Sequence, residues 1–151
     1  MLFRSECYLS PKLLVVKSTD RLQASLDTRG HIALQTLYLL HPRTKEACPD
    51  DLYFFLALLN SRLLQQYVYL LHTAYKWVQP QIEQHILARL PIPIVTPQEK
   101  QQIIDRAKLL AHACSEIDPV VEWGEALQSL YEEQELAISA LYASALPGEA
   151  F

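Results

Sequence analysis

The sequence predicts an α+β fold: a small antiparallel or mixed β-sheet with packed helices, followed by a C-terminal antiparallel helix hairpin. Three observations predict it. Apolar and polar residues alternate along residues 21–40, the period of half-buried strands. Apolar residues then recur every three or four positions from Tyr53 to Leu71, the period of a helix face. Two proline-marked helix starts, Thr96-Pro97 and Asp118-Pro119, introduce two neighbouring amphipathic segments, the pattern of a helix hairpin.

Pro11 opens the run Lys12-Leu-Leu-Val-Val-Lys17, rich in β-branched residues and read as a strand. Leu22, Ala24 and Leu26 alternate with polar neighbours, and Ile32, Leu34, Thr36 and Tyr38 do the same on the return. Asp27-Thr28-Arg29-Gly30 between them suits a turn with Gly30 left-handed, so residues 21–40 are expected to form a hairpin. His41-Pro42 ends the strand, and the polar, basic segment to Pro49 is a loop. Asp50 or Asp51 can cap a helix from about Leu52. Its face comprises Tyr53, Leu56, Leu59, Leu63, Tyr67, Leu70 and Leu71, with a break into two helices near Asn60-Ser61. Thr73 to Pro80 is irregular, and a short helix or strand is expected from Gln81 to Ala88. Leu90-Pro-Ile-Pro-Ile-Val95 alternates prolines, which excludes a helix or a central strand and fits an edge or a covering strap.

Thr96-Pro97-Gln98-Glu99 has the composition of a capping box. The helix after it carries Ile103, Ala107, Leu110 and Cys114 on one stripe. Asp118-Pro119 repeats the signal, and a last helix runs to about Ala145 with Trp123, Leu127, Leu130, Ile138 and Leu141 inward. The expected division is an α+β domain of residues 1–95 and a helical hairpin appendage of residues 96–151 packed on it.

Composition narrows the function. The net charge of −4 is uneven: residues 1–80 carry nine Lys/Arg against six Asp/Glu, a net +3, and residues 81–151 carry four against eleven, a net −7. Any contact with nucleic acid therefore belongs to the first half, because the acidic tail repels phosphates. Three scattered glycines, Gly30, Gly124 and Gly148, cannot build a phosphate-cradling loop, so no nucleotide cofactor is expected. The cysteines Cys7, Cys48 and Cys114 form no CxxC pair and read as reduced, mostly buried thiols of a cytoplasmic protein. The five histidines show neither HExxH nor HxH, so no metal is expected. Cys48 lies near His41 in a polar loop, a pairing that arises by chance in most chains of this size and is given no nucleophilic role, and Glu132, Glu133 and Glu135 read as a solvated helix face. The N-terminus has no apolar signal region, and the longest apolar stretch, Leu52 to Leu59, is too short to span a membrane. No DPPY-like or NPPY-like adenine-methylation motif occurs, so no catalytic residue is assigned.

Three stretches in order carry a resemblance: Pro11-Lys12-Leu13-Leu14-Val15; the helix from Tyr53 ending Leu58-Leu59-Asn60-Ser61-Arg62-Leu63; and Ile86-Leu87-Ala88-Arg89-Leu90-Pro91-Ile92-Pro93 followed by Gln98-Glu99-Lys100-Gln101-Gln102-Ile103. This series, spanning about residues 10–113, resembles the TaqI-like C-terminal specificity domain of adenine-N6 DNA methyltransferases of restriction-modification systems. The resemblance implies a non-catalytic target-recognition module for double-stranded DNA, partnered by a methyltransferase catalytic domain or subunit that binds S-adenosylmethionine. The chain lacks that catalytic half, and is expected to be a remnant, a split subunit or an excised domain. Lysine and arginine would neutralise phosphates and glutamine would reach base edges. The DNA-binding candidates are Lys17, Arg21, Arg29, Gln35, Arg43, Lys45, Lys76 and Gln79, with Gln81 a further amide and Tyr75 and Trp77 as stacking rings. The alternative reading is a protein-interaction or oligomerisation module without DNA binding, including a homodimer through the C-terminal helices. An unrecognised hydrolase has the least support.

Overall fold

The computed structural model describes residues 6–19, 21–42, 48–73, 81–116 and 123–145. The chain divides into two compact units, residues 1–90 and 91–151.

The first unit is built on a three-stranded antiparallel sheet of order β2-β1-β3, with β1 Lys12–Val16, β2 Ala24–Asp27 and β3 Leu37–Leu40. A short helix α1, Glu6–Leu9, precedes it. The run Leu13-Leu14-Val15-Val16 is apolar on both faces, which suits a central strand better than an edge. Leu13 pairs with Leu26 on one side and Leu40 on the other, and Val15 with Ala24 and Tyr38. The hairpin expected over residues 21–40 is therefore not formed. β2 and β3 lie on opposite sides of β1, and residues 28–36 pass from one edge to the other. The alternation of Ile32 and Leu34 misled because both belong to this connection, 79% and 76% exposed. The turn residues behave otherwise than in a two-residue hairpin. Gly30 does take positive φ (74°), but Asp27 is buried and uses its carboxylate on the N–H groups of Arg29 and His31.

Helices α2, Asp51–Asn60, and α3, Arg62–Val68, follow, the former packing on β2 and β1. Ser61 interrupts them with extended backbone (φ −69°, ψ 145°) and caps α3, its Oγ accepting from Leu64 N–H at 3.3 Å. Asp50 occupies the N-cap position of α2 without a side-chain cap bond. The buried side chains are Leu52, Phe54, Ala57, Leu58 and Leu59 of α2 and Leu64 and Val68 of α3, joined by Leu13, Val15, Leu22, Ile82 and Ile86. Of the predicted helix face, Leu59 is buried and Tyr53, Leu56, Leu63 and Tyr67 are half-buried. Leu70 and Leu71 are exposed, because the chain widens into a π-helix over Tyr69–Thr73, which ends the 3.6-residue period. A single helical turn α4, Gln84–Leu87, lies in the stretch expected to hold a short helix or strand.

In the second unit, α5 Pro97–Glu116 packs against α6 Glu125–Ala145. Their antiparallel sense follows from Tyr142, near the end of α6, whose hydroxyl donates to Pro91 O at 2.7 Å, ahead of the start of α5. Burial pushes the Tyr142 phenol up to about 12. The capping box is complete: Glu99 Oε2 accepts from Thr96 N–H (2.8 Å) and Oγ1 (2.7 Å), while Thr96 Oγ1 accepts from Glu99 N–H (3.3 Å). Ile103, Ile104 and Ala107 of α5 and Leu127, Ile138 and Leu141 of α6 are buried. Trp123, expected inward, is 48% exposed and meets Tyr131 edge to face. Cys48 and Cys114 are free but exposed, contrary to the expected burial; Cys114 sits near the end of α5, past the buried Ala107 turn. Asp118-Pro119 lies outside the described residues.

Candidate nucleic-acid interface

Antiparallel pairing decides which loops share an end of the sheet. The C-terminal end of β1 faces the starts of β2 and β3; its N-terminal end faces their ends. At ~3.3 Å per residue, the five residues of β1 hold these two ends about 13 Å apart.

Lys17, Arg21 and Gln35 are brought to the first end. Lys17 follows the last residue of β1, and its backbone is bonded on both sides: its N–H donates to Thr36 O at 3.0 Å and its carbonyl accepts from Ile82 N–H at 2.9 Å. Its Nζ lies 4.5 Å from the Tyr38 ring centroid, a cation–π contact that steers the ammonium along β3. Arg21 is exposed, three residues before β2, its N–H donating to Thr19 Oγ1 at 3.1 Å. Gln35 is exposed in the turn before β3, and Gln81 is exposed beside the Ile82–Lys17 bond. Arg21 also lines an open concavity of about 450 Å³ with Gln65, Gln66, Tyr69 and Leu70.

Arg29 is not part of this group. It is exposed at the opposite end of the sheet, two residues past β2. Its neighbours there form a polar cluster that sequence reasoning missed. Lys12, fully buried, bonds Asp27 Oδ2 at 2.5 Å and Tyr8 O at 2.6 Å. Asp27 further accepts from the N–H groups of Arg29 (2.9 Å) and His31 (2.8 Å), and His31 Nδ1 lies 2.8 Å from its Oδ1. The Lys12 ammonium first, then His31 and the two backbone N–H groups, hold the Asp27 carboxyl far below the usual carboxylate range, against the opposing effect of burial. His41 stands near this pair. Burial first, then the Lys12 charge, keep its imidazole below the ordinary histidine value. Its Nε2 is buried with no hydrogen-bond partner among the described residues. The available signal was Lys12 itself, a lysine in register with a two-faced apolar strand.

A second missed residue is Asn60. Its Oδ1 accepts from Ala24 N–H and its Nδ2 donates to Ala24 O, both at 2.9 Å, so one amide side chain pairs with the edge of β2 as a strand residue would. The same Nδ2 reaches Leu56 O at 3.1 Å. Gln65 Nε2 donates to Asn60 O at 3.0 Å, which ties the wall of the concavity to the sheet. Arg43, Lys45, Tyr75, Lys76, Trp77 and Gln79 lie outside the described residues. Among the described residues, no three His, Cys, Asp or Glu side chains come together as a metal site. No described helix is long and apolar enough to cross a membrane.

Fold and site thus define a small sheet-centred α+β domain that gathers cationic and amide side chains at one end of its strands. The family model of the TaqI-like C-terminal specificity domain matches residues 2–92, more than half of the chain, and the chain belongs to that family. The matched part is a specificity domain of restriction-modification methyltransferases, and no catalytic domain is matched. The match ends within the Leu90–Ile94 segment, leaving the Gln98–Ile103 part of the resemblance outside it. No curated protein matches the chain.

Proposed function

We propose that residues 1–90 act as a non-catalytic target-recognition module for double-stranded DNA, partnered by an adenine-N6 methyltransferase catalytic domain or subunit. One observation supports this reading beyond family membership: Lys17 and Arg21, from the connection between β1 and β2, and Gln35, from the turn before β3, lie at one end of the sheet. That pairs two phosphate-neutralising cations with a base-reading amide. Arg29 would then be an outlying phosphate contact, and Arg43, Lys45, Lys76 and Gln79 remain proposed contacts on the strength of their charge and amide chemistry. The unit holding these groups is the basic one, with ten Lys/Arg against seven Asp/Glu in residues 1–90. A methyltransferase partner working on DNA implies a cytoplasmic location. No cofactor is assigned to this chain; S-adenosylmethionine belongs to the catalytic partner.

The test is DNA affinity as a function of salt. Each neutralised phosphate contributes a slope of about 0.9 in log affinity against log salt. Lys17→Ala/Arg21→Ala is expected to reduce that slope by roughly 2 and weaken binding to all sequences alike. A wild-type affinity that does not change with salt would refute DNA recognition. The second reading, a protein-interaction or oligomerisation module, is favoured by residues 91–151. They carry three Lys/Arg against ten Asp/Glu and expose Ile94, Leu109, Trp123 and Leu136. Light scattering that shows a concentration-dependent dimer, together with no DNA binding, would select it.

A further inference from the structure

We propose that the concavity between Arg21 and the α3–π-helix segment reads one A·T base pair in a duplex groove, with Gln66 on the adenine edge, Leu70 on the thymine methyl and Arg21 on the adjoining phosphate. The inference rests on the DNA reading above and adds residues to it. Arg21 arrives from the loop before β2, while Gln65, Gln66, Tyr69 and Leu70 arrive from the end of α3 and the first turn of the π-helix.

The chemistry of the lining is that of base-edge readout. Glutamine presents a donor and an acceptor side by side and matches adenine N6 and N7, while an apolar side chain matches the thymine methyl beside it. Gln66 and Arg21 are exposed, and Tyr69 and Leu70 are 51% and 63% exposed. So open a site does not enclose a small molecule, which ordinary ligand pockets bury on most sides. It accommodates the edge of a polymer. The π-helix is an independent pointer. Such segments are rare and concentrate at functional sites, and this one leaves Tyr69, Leu70 and Leu71 exposed just past the buried Val68. The wall is also preorganised: Gln65, next to Gln66, is bonded to Asn60 O, and Asn60 to Ala24 of β2, so this part of α3 is tied to the sheet edge.

The experiment selects the full chain against a duplex pool with a randomised centre, at a low salt of about 50 mM that favours phosphate contacts. Wild type is expected to enrich a sequence containing an A·T pair. Gln66→Ala should lose selection at that pair by on the order of tenfold with unchanged affinity for the unselected pool. Gln66→Glu, which keeps the side-chain size, should move the preference there from adenine toward cytosine, whose N4 amino group donates to a carboxylate. Uracil for thymine in the enriched duplex should weaken wild type and leave Leu70→Ala unaffected. Selection of one motif by wild type and both Gln66 variants alike would overturn the cleft assignment while leaving DNA recognition intact. Absence of any salt-sensitive DNA binding by wild type would overturn both.

Discussion

A buried ammonium is tolerated only where a fixed counter-charge opposes it, and Lys12 has one in Asp27. Removing the carboxylate alone is therefore expected to cost far more than removing both groups. Asp27→Ala should sharply lower the urea midpoint, while Lys12→Met/Asp27→Leu should recover most of the loss; equal losses would refute the pairing. The same carboxylate sets an acid limb. Folded Asp27 is more acidic than unfolded Asp27, so its contribution is complete above about pH 4 and is lost as pH falls further. His41 acts at milder pH. Its folded imidazole resists protonation, so the unfolded chain takes up the proton first, and stability declines as pH drops below about 6.5. His41→Gln is expected to flatten the stability–pH curve just below about pH 6.5 and leave the Asp27 limb in place, as followed by urea titration at each pH.

At the scale of elements, capping and edge pairing decide what holds. Thr96→Ala removes the cap acceptor for Glu99 N–H and should destabilise α5 by about 1 kcal/mol, with Thr96→Ser near neutral, as read from thermal melts. Asn60→Ala leaves both polar groups of Ala24 without their side-chain partner and should cost about 1–3 kcal/mol. Amide exchange at Ala24 should accelerate in the same variant, and unchanged exchange would show the edge closed by other means. Both features differ in how visible they were beforehand. The Thr96–Glu99 box, the Ser61 break and the extent of α6 to Ala145 are local, and local chemistry is written in neighbouring letters. Partner choice among strands is not local. The alternation matched residues 22–26 but not Asp27, which is buried, nor β3, which is half-buried throughout, and it could not reveal that β1 takes the middle. Asn60 was legible as a helix end but not as a strand mimic, because its partner Ala24 lies 36 residues away.

The whole molecule separates charge: residues 1–90 are net basic and residues 91–151 strongly acidic. Neutralising exposed acids of α6 should therefore raise DNA affinity without altering which sequence is chosen. Glu132→Gln/Glu133→Gln is expected to strengthen binding a few-fold at low salt, with the gain fading as salt rises, because long-range repulsion is screened. A change in the selected sequence would show that the acidic helices touch DNA. The charge imbalance was legible from composition alone. The gathering of Lys17, Arg21 and Gln35 was not, since it depends on antiparallel pairing about β1. The placement of Arg29 at the far end was equally hidden, because Asp27 turns the chain there through its own hydrogen bonds.

Lys17 is anchored through its main chain, which bridges Thr36 and Ile82, while its ammonium only leans on Tyr38. Its position in space is thus owed to atoms every amino acid possesses. Its side chain can be exchanged without disturbing the scaffold beneath, so under the proposed reading a change of target at this position would leave the fold intact.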